Sequence, residues 1–458
     1  MSRRELKDFG VIVVVLVLAA LLVSFSQGGN NSGLLHSRGN AIAGRASLKN
    51  PLAGIKKEDL PAPLHINGKH AADLKPFVLP DEDTGRYLKI NRKGKVYRGF
   101  TLLPLSGNDQ VWLLDNAGRV VHGWNVDADR ARLLPDGHIL VIHGSKFRAG
   151  VKPWKQLRPT IAEYDWDGKL VWEYIAEDVI HHDASRLENG NTIFLVKVNL
   201  PDSLLEAVRS PYRRLVGLRG DIVLEVDQQG REVWRWQSWD HFDLNYCGIR
   251  TCEERIKMYG GGVKKGKKRA LRKLRDWTHF NTVSVLPDNR WYRAGDKRFK
   301  PGNVLVMPRN FWQMYIIDRN SGEIVWKYRG TYRGGLSAAH DPKMIPEGYP
   351  GAGNIIVLDN GAGLREGQNE SMVLEINPSN GRVEWKYEDG KNFFTRTRGG
   401  IQRLKNGNTL ISSDMTGRVF EVNRQGEIVW EFRAPHPTSR ATRYGLNYCP
   451  QFKALSSR

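Results

Sequence analysis

Three histidines and one arginine in this sequence have the chemistry for group transfer. His182, His279 and His340 each stand a few residues ahead of a turn and an apolar strand. We interpret them as sharing one phase of an internal repeat. Arg309 closes the strand that follows the His279 turn. A neutral imidazole is nucleophilic near pH 7, and a fixed guanidinium beside it favours an anion such as sulfate or phosphate.

A metal site is the alternative use of three histidines. Zinc ligands commonly come as closely spaced pairs, whereas these histidines are far apart in the sequence. A fixed cation, Arg309, would also repel a metal ion. We therefore predict an anion site that needs no metal and no cofactor.

The elements that position these residues are predicted by a hairpin that recurs six times. Each copy has an apolar strand, a turn carrying Asp, Asn or Gly, and a second strand that ends in Trp, as is typical of β-hairpins. The copies are Val111–Trp124, Ile161–Trp172, Asp221–Trp234, Met314–Trp326, Met372–Trp385 and Val419–Trp430.

Shorter hairpin-like segments with Asn-Gly or Asp-Gly turns lie between these copies, at Leu133–Leu140, Leu187–Phe194 and Leu404–Ile411. Two hairpins make a four-stranded blade, so the repeat predicts an all-β fold, a six-bladed β-propeller, over residues 96–450. The innermost strands of a propeller line one central channel. We therefore expect the three histidines to meet at one rim.

The N-terminus predicts a membrane anchor. Basic residues precede an apolar run from Phe9 to Phe25. We assign residues 1–8 to a cytoplasmic basic stub, 9–26 to a single transmembrane anchor, 27–95 to a linker or extended arm and 451–458 to a C-terminal tail. The basic end then places the propeller on the periplasmic side of a bacterial inner membrane. A cleaved signal peptide is the alternative, and it gives the same side.

The charge balance indicates anionic partners. Seventy Lys and Arg residues against 49 Asp and Glu give a net charge of +21, which suits an anionic substrate, an anionic membrane surface or nucleic acid. No helix-turn-helix, zinc-finger or RNA-binding signature accompanies the charge, so we exclude nucleic acid. The basic run Lys264–Arg269 lies in an insertion, about Ser238–Asp276, and is interpreted as a solvated loop or a contact with anionic lipid.

Three cysteines, Cys247, Cys252 and Cys449, fit one disulfide and one remaining thiol. Cys247 and Cys252 flank a short loop and are the pair that is easiest to close, although the sequence alone leaves the pairing open. The oligomeric state is also left open.

Four separated motifs resemble the bacterial aryl sulfotransferases, and the resemblance covers about residues 96–450. The motifs are His182–Asn191, Trp277–Val283, the Pro308-Arg309-Asn310 ending and His340 with Ile355–Gly361. The resemblance implies a six-bladed propeller that moves a sulfuryl group from an aryl sulfate to a phenolic acceptor without a nucleotide donor.

The resemblance also implies the roles of individual residues. His340 is similar to the histidine that is transiently sulfated in a ping-pong mechanism. His182, His279 and Arg309 resemble the residues that hold the sulfate oxygens, with Asn281 beside them. Residues 27–95 depart from the family pattern, because they do not predict its N-terminal β-rich domain.

A second class of function stays open, namely a non-catalytic exported propeller that acts as a scaffold or a ligand-binding module. A quinone-dependent dehydrogenase on a related propeller is a weaker alternative, since the metal-binding carboxylates of such a site are not evident.

Overall fold

The computed structural model describes residue 52 and residues 54–61, 66–148, 150–363 and 369–456. The predicted stub at 1–8 and the predicted anchor at 9–26 lie outside these residues. Within the described ranges, no helix combines the length and the apolarity needed to cross a bilayer.

The described chain is built mainly from β-strands. In chain order they are β1 (Leu88–Asn91), β2 (Gly99–Leu105), β3 (Gln110–Leu114), β4 (Val120–Trp124), β5 (Ala128–Leu133), β6 (Ile139–His143), β7 (Thr160–Tyr164), β8 (Leu170–Ile175), β9 (Val179–Arg186), β10 (Thr192–Asn199), β11 (Arg219–Val226), β12 (Glu232–Gln237), β13 (Phe280–Val285), β14 (Val304–Pro308), β15 (Met314–Ile317), β16 (Ile324–Tyr328), β17 (His340–Met344), β18 (Ile355–Asp359), β19 (Met372–Ile376), β20 (Val383–Glu388), β21 (Gly400–Arg403), β22 (Thr409–Ser413), β23 (Arg418–Val422), β24 (Ile428–Arg433) and β25 (Thr442–Gly445).

Short helices lie in the connections. They are α1 (Trp154–Leu157), α2 (Asp202–Leu205), α3 (Pro211–Val216), α4 (Ser238–His241), α5 (Cys252–Lys264), α6 (Lys268–Arg275), α7 (Arg290–Arg293) and α8 (Gln451–Ser456). The last of these lies in the predicted C-terminal tail, where Phe452 is fully buried.

The strands form six antiparallel sheets, which we number as blades. Blade 1 has the order β25-β2-β3-β4, blades 2 to 5 contain β5–β8, β9–β12, β13–β16 and β17–β20, and blade 6 contains β21–β24 with β1 added outside β24. Successive blades contact each other in chain order, and blade 6 contacts blade 1 through β21 and β25. The predicted all-β fold of six four-stranded blades is confirmed.

Each of the six predicted hairpins forms the two outer strands of one blade. Their sequences combine a glycine for the tight turn with strands that are buried on the inner side and exposed on the outer side of the blade. The turn glycines adopt left-handed backbone, for example Gly118 at φ 79° and Gly168 at φ 87°, a region that glycine enters without steric cost. Inner strands are covered on both faces by neighbouring blades, and β14 is buried at every position. The outermost β12 is mostly exposed or half-buried.

Both ends of the described chain close the ring. The C-terminal β25 supplies the innermost strand of blade 1 by pairing with β2, and β1 pairs with the outer strand β24 of blade 6. The assignment of residues 27–95 to a linker therefore fails at Leu88–Asn91. An exposed outer strand leaves a row of unpaired amides and carbonyls, and β1 satisfies those of β24.

The solvated character predicted for the basic run Lys264–Arg269 agrees with the structure, in which all six residues are exposed. The insertion that contains this run forms the helices α5 and α6. The reason is an apolar face: Ile256 and Val263 of α5 pack with Leu271 and Leu274 of α6. Thr251 and Glu254 form a capping box at the start of α5, which satisfies amides that a helix end leaves unpaired.

Six tryptophans join each blade to the next. Each indole Nε1–H donates to a backbone carbonyl of the outer hairpin turn in the following blade, at 2.8 to 3.0 Å, and the sixth bond returns to blade 1. The pairs are Trp124 with Asp165, Trp172 with Gln228, Trp234 with Arg319, Trp326 with Pro378, Trp385 with Arg424 and Trp430 with Asn116. These are the tryptophans that end the predicted hairpins.

We predict that Trp124→Phe lowers the free energy of unfolding by about 0.5–1.5 kcal/mol, because it removes the indole's hydrogen bond to the Asp165 carbonyl in a partly buried contact and leaves that carbonyl only its bond from the Gly168 amide. Urea denaturation followed by circular dichroism measures the change. The control is Trp172→Phe, whose bond lies at the solvent-exposed edge and whose loss water compensates. An equal loss in the two variants would contradict the role assigned to the buried bond.

Candidate active site

The turn between the two inner strands of blades 3, 4 and 5 provides a reference point for aligning the three blades residue by residue. The backbone amides of Leu187, Leu286 and Ile345 each donate across their turn at 2.8 Å. The residues five positions before these amides are His182, Asn281 and His340. The expectation that three histidines share one phase is therefore wrong for His279, which stands two residues before Asn281. The longer turn of blade 4 conceals this offset in the sequence.

Irregular backbone brings these side chains to one rim. The ladder register shifts in β9 beside His182, in β13 between Phe280 and Val283, and in β17 between His340 and Lys343. His182 and His279 have φ of 62° and 55°. Such bulges break the alternation of a strand and re-aim side chains, and they recur beside active sites.

His340 is buried and held in one tautomer. Its Nδ1 lies 2.6 Å from the Asn360 Oδ1 and 2.9 Å from the Ala338 carbonyl oxygen. The Asn360 amide is itself oriented, because its Nδ2 donates to the carbonyls of Thr395 and Arg398 at 2.7 and 2.8 Å. Both neighbours of Nδ1 are acceptors, so Nδ1 carries the proton and Nε2 keeps the lone pair.

Burial lowers the pKa of His340 well below its usual value, and the charges of Arg309 and Arg440 lower it further. The imidazole is therefore neutral at physiological pH. The ring has the protonation state that a nitrogen nucleophile requires.

His279 is backed by a carboxylate. Its Nδ1 makes a short contact with the Asp276 Oδ2, while the Asp276 Oδ1 lies 2.7 Å from the Lys197 Nζ. Burial lowers the pKa of His279 to about 3 against the opposing effect of Asp276. Although burial alone would raise the pKa of Asp276, His279 and Lys197 hold it well below its usual range. Asp276 thus orients His279 and leaves Nε2 free.

His182 adjoins His279, with ring centroids 5.0 Å apart and planes inclined by 69°. Its backbone amide donates to the Asp129 Oδ2 at 3.1 Å. Burial lowers the pKa of His182 well below 6.5, and the neighbouring His181 and His279 act in the same direction. The two rings form one imidazole pair.

Arg309 presents an incompletely satisfied guanidinium. Its backbone amide donates to the His279 carbonyl at 3.0 Å, and Nη1 lies 3.3 Å from the Asn310 Oδ1. Its buried Nε has no hydrogen-bond partner among the residues that the structure describes. Since a buried cation is stable only when paired, this group favours an anionic ligand.

Asn281 lies beneath the rim. Its side chain is fully buried, and Nδ2 donates at 2.7 Å to the carbonyl of Ala339, the residue before His340. The structure therefore brings His182, His279, His340 and Arg309 together and gives Asn281 a supporting position. Cys247, in the connection before α5, forms a disulfide with Cys252, the first residue of α5, and Cys449 is a buried thiol.

Sequence reasoning missed several residues of the site: Asn360, Asp276, Lys197, His181 and Asp221. Asp276 stands three residues before His279, and Asn360 directly follows the apolar strand β18 that comes after His340. Those spacings were available signals. Lys197 comes from β10, and only the folded sheet brings it to Asp276.

We predict that the free energy of unfolding falls as the pH drops from 6.5 to 4. An unfolded histidine binds a proton near pH 6.5, whereas burial lowers the pKa of His279 to about 3 and that of His143 to about 4. In this window the unfolded state binds more protons, and each such histidine contributes a slope of up to about 1.4 kcal/mol per pH unit.

Urea denaturation at pH 7, 6 and 5 tests this dependence. His143→Gln should reduce the slope, since it removes one of the histidines whose pKa burial lowers. A pH-independent unfolding free energy across this range would show that the histidines are not buried in their neutral form.

Solved structures with similar chains were found at low identity. A protein of unknown function from Bacteroides caccae is 12% identical, with a TM-score of 0.46, over 76% of this chain and 98% of that chain. Virginiamycin B lyase from Staphylococcus aureus is 9% identical, with a TM-score of 0.36, over 80% and 89%. The Dos1 propeller is 9% identical, with a TM-score of 0.34, over 77% of each chain. We draw nothing about activity from these likenesses.

No curated protein matches the chain. The family model of the arylsulfotransferases (ASST) matches residues 175–435, which is more than half of the 458 residues. The match includes His182, His279, Arg309 and His340, the four residues that the fold brings to one rim. The chain belongs to the arylsulfotransferase family.

Proposed function

We propose that this protein transfers a sulfuryl group from an aryl sulfate to a phenol through a sulfated His340. The observation that carries the proposal is the pairing of a fixed, neutral His340 with a buried guanidinium, that of Arg309, whose Nε has no partner among the described residues. The guanidinium supplies donors for sulfate oxygens, and the imidazole supplies the nucleophile.

In the first half-reaction the Nε2 lone pair of His340 attacks sulfur. The nitrogen–sulfur bond forms while the bond from sulfur to the aryl oxygen breaks, and its electron pair leaves with that oxygen, which then takes up a proton. The Arg309 guanidinium and the Nε2 atoms of His182 and His279, when protonated, stabilise the charge on the sulfuryl oxygens and on the departing oxygen.

In the second half-reaction the hydroxyl oxygen of the acceptor attacks the same sulfur. The oxygen–sulfur bond forms, the nitrogen–sulfur bond breaks, and the electron pair returns to Nε2 of His340. The proton of the acceptor passes to a base of the site. Because the bond that forms matches the bond that broke, the exchange needs no external energy source.

The surroundings of His340 suit the intermediate. A sulfated imidazole that retains its Nδ1–H carries positive charge on the ring. Asn360 and the Ala338 carbonyl both accept from that N–H group, and they stabilise the charge without moving.

Further cations surround the site and favour a sulfate ester as the donor. Burial lowers the pKa of Lys273 to about 8, and the positive charge of Arg309 acts in the same direction. Burial and the charges of Arg398, Arg272 and Arg309 lower the pKa of Lys146. Such clusters of like charge raise the local concentration of an anion.

We also propose that the protein is exported and remains anchored at the bacterial inner membrane. The disulfide between Cys247 and Cys252 supports this location, because disulfides persist in oxidising compartments.

We predict that His340→Asn abolishes release of phenol from a chromogenic aryl sulfate and removes a sulfuryl adduct from the peptide that contains residue 340. The unaltered protein should release phenol faster when a second phenol is added, as a ping-pong mechanism requires. The matched control is His70→Asn, since the His70 side chain is 84% exposed. Turnover that survives in His340→Asn would eliminate His340 as the nucleophile, and a lack of turnover in the unaltered protein would favour a binding propeller.

We predict that Arg309→Gln lowers kcat/KM for the aryl sulfate by about 10²–10³-fold, because it removes preorganised charged donors. Arg309→Lys should retain part of the rate, because it keeps the positive charge. It should not restore the full rate, because a single ammonium cannot reproduce the planar fork of a guanidinium. Steady-state rates at a saturating acceptor concentration measure both. A rate for Arg309→Lys equal to that of the unaltered protein would show that the geometry of the guanidinium is not used, and equal rates in the two variants would show that positive charge alone contributes nothing.

A further inference from the structure

A second histidine lies directly behind His182. The Nδ1 of His181 is 2.6 Å from the Nδ1 of His182, and the ring centroids are 4.9 Å apart. His181 is buried, with 4% of its surface exposed. The steps of the proposed reaction do not require this ring, and its contact with His182 calls for an explanation.

The contacts of His181 determine where the protons are. Its Nε2 lies 3.0 Å from the Asp221 Oδ1. The contact departs from ideal hydrogen-bond angles, yet both atoms are buried and neither has another hydrogen-bond partner among the described residues. A carboxylate only accepts, so Nε2 of His181 carries the proton.

The tautomer of His182 follows from that of His181. With its proton on Nε2, His181 has a lone pair on Nδ1. The two Nδ1 atoms lie 2.6 Å apart, so one of them must carry a proton and the other must accept it. The Nδ1–H of His182 therefore donates to the Nδ1 of His181. The Nε2 of His182 is then left with a lone pair, which is the form of a general base.

Asp221 is fixed and charged at the end of this chain. Its Oδ2 accepts from the Phe280 backbone amide at 2.8 Å and from the Thr278 hydroxyl. Although burial opposes it, Lys197 and His181 lower the pKa of Asp221. The Lys197 Nζ lies 3.9 Å from the Asp221 Oδ1 and 2.7 Å from the Asp276 Oδ1, so one ammonium forms ion pairs with both carboxylates.

His279 differs from His182 in this respect. Its Nδ1 contacts the carboxylate of Asp276 directly, with no second ring between them. Of the three rim histidines in the described structure, His182 is the one with an imidazole and a carboxylate in series behind it. The chain Asp221–His181–His182 therefore has the arrangement in which one residue orients an acid–base histidine and a carboxylate stabilises its imidazolium.

We infer that His181, held by Asp221, is a positioning residue that makes His182 the acid–base group of the sulfuryl transfer. The inference rests on the proposed function. The Nε2 of His182 takes the proton of the acceptor phenol as that oxygen bonds to sulfur. The resulting imidazolium gives the same proton to the departing aryl oxygen of the next donor, so protons are conserved over one cycle.

The charges that face His182 are mixed. Asp129 accepts from its backbone amide, and Asp221 acts through His181. Burial disfavours a positive charge on His182, and so do His181, His279, Lys197 and Arg440. The sulfate anion of the bound donor opposes these effects and favours protonation of Nε2 when a proton is needed.

The test compares two donors that differ in leaving group. In a single turnover without acceptor, we expect His181→Asn and His181→Phe to slow release from phenyl sulfate by about 10²-fold or more, the size of a general acid contribution. In the same single turnover, release from 4-nitrophenyl sulfate, whose phenolate leaves without protonation, should fall by less than about tenfold. His143→Asn, at another buried histidine, should slow neither donor selectively.

The outcomes separate the two claims. An equal loss with the two donors would assign His181 a purely structural role and overturn the inference, with the proposed function intact. No turnover of either donor by the unaltered protein would defeat the proposed function and the role of His181 together.

A second measurement does not depend on turnover. Nitrogen-15 chemical shifts of the imidazoles, assigned with His181→Asn and His182→Gln, report the tautomers. The inference requires a protonated Nδ1 in His182 and a protonated Nε2 in His181. A protonated Nε2 in neutral His182 would overturn it.

Discussion

The hydrogen bond from each hairpin tryptophan to the next blade is the interaction on which the rest of the structure depends. A four-stranded sheet cannot bury both faces alone, so every blade needs a neighbour at a fixed distance and angle. The indole supplies a large apolar surface and one directional bond. Because the bond from Trp430 returns to Asn116, the six distances are not independent. The separation of His182, His279 and His340 on three successive blades is set by contacts at the outside of the ring.

Beneath the histidines the axis is filled by paired charges. Arg440 of the closing segment lies 3.3 Å from Asp183 and 3.5 Å from Asp341, and it contacts the carbonyl of Asn281. Arg130 lies 3.3 Å from Asp183. Ionised groups out of water are tolerated only when they are paired and hydrogen-bonded. The network therefore ties blades 3, 4 and 5 to one arginine beneath the rim that carries the histidines.

The parts of the fold that the sequence could predict are those with local signals. The six hairpins and the position of His340 follow from turn glycines, terminal tryptophans and alternation. The offset of His279 could not be predicted, because the turn between Leu286 and Asn303 is longer than its counterparts. β1 could not be predicted, since Leu88–Asn91 form a strand only against the edge of β24. The links of His340 to Asn360 and of His181 to Asp221 needed the folded sheets, which bring distant residues together.

Because β25 supplies the innermost strand of blade 1, the ring can close only late in folding. Blade 1 lacks its innermost strand, and the axis lacks Arg440, until the last residues of the chain are available. The pairing of β1 with β24 spans an even longer stretch of sequence, and such closures are slow because loop entropy must be lost first. A chain that stops short of Thr442 cannot complete the ring that carries the site. The four residues at the rim therefore come together only after Arg440 and β25 have been synthesised and β25 has paired with β2.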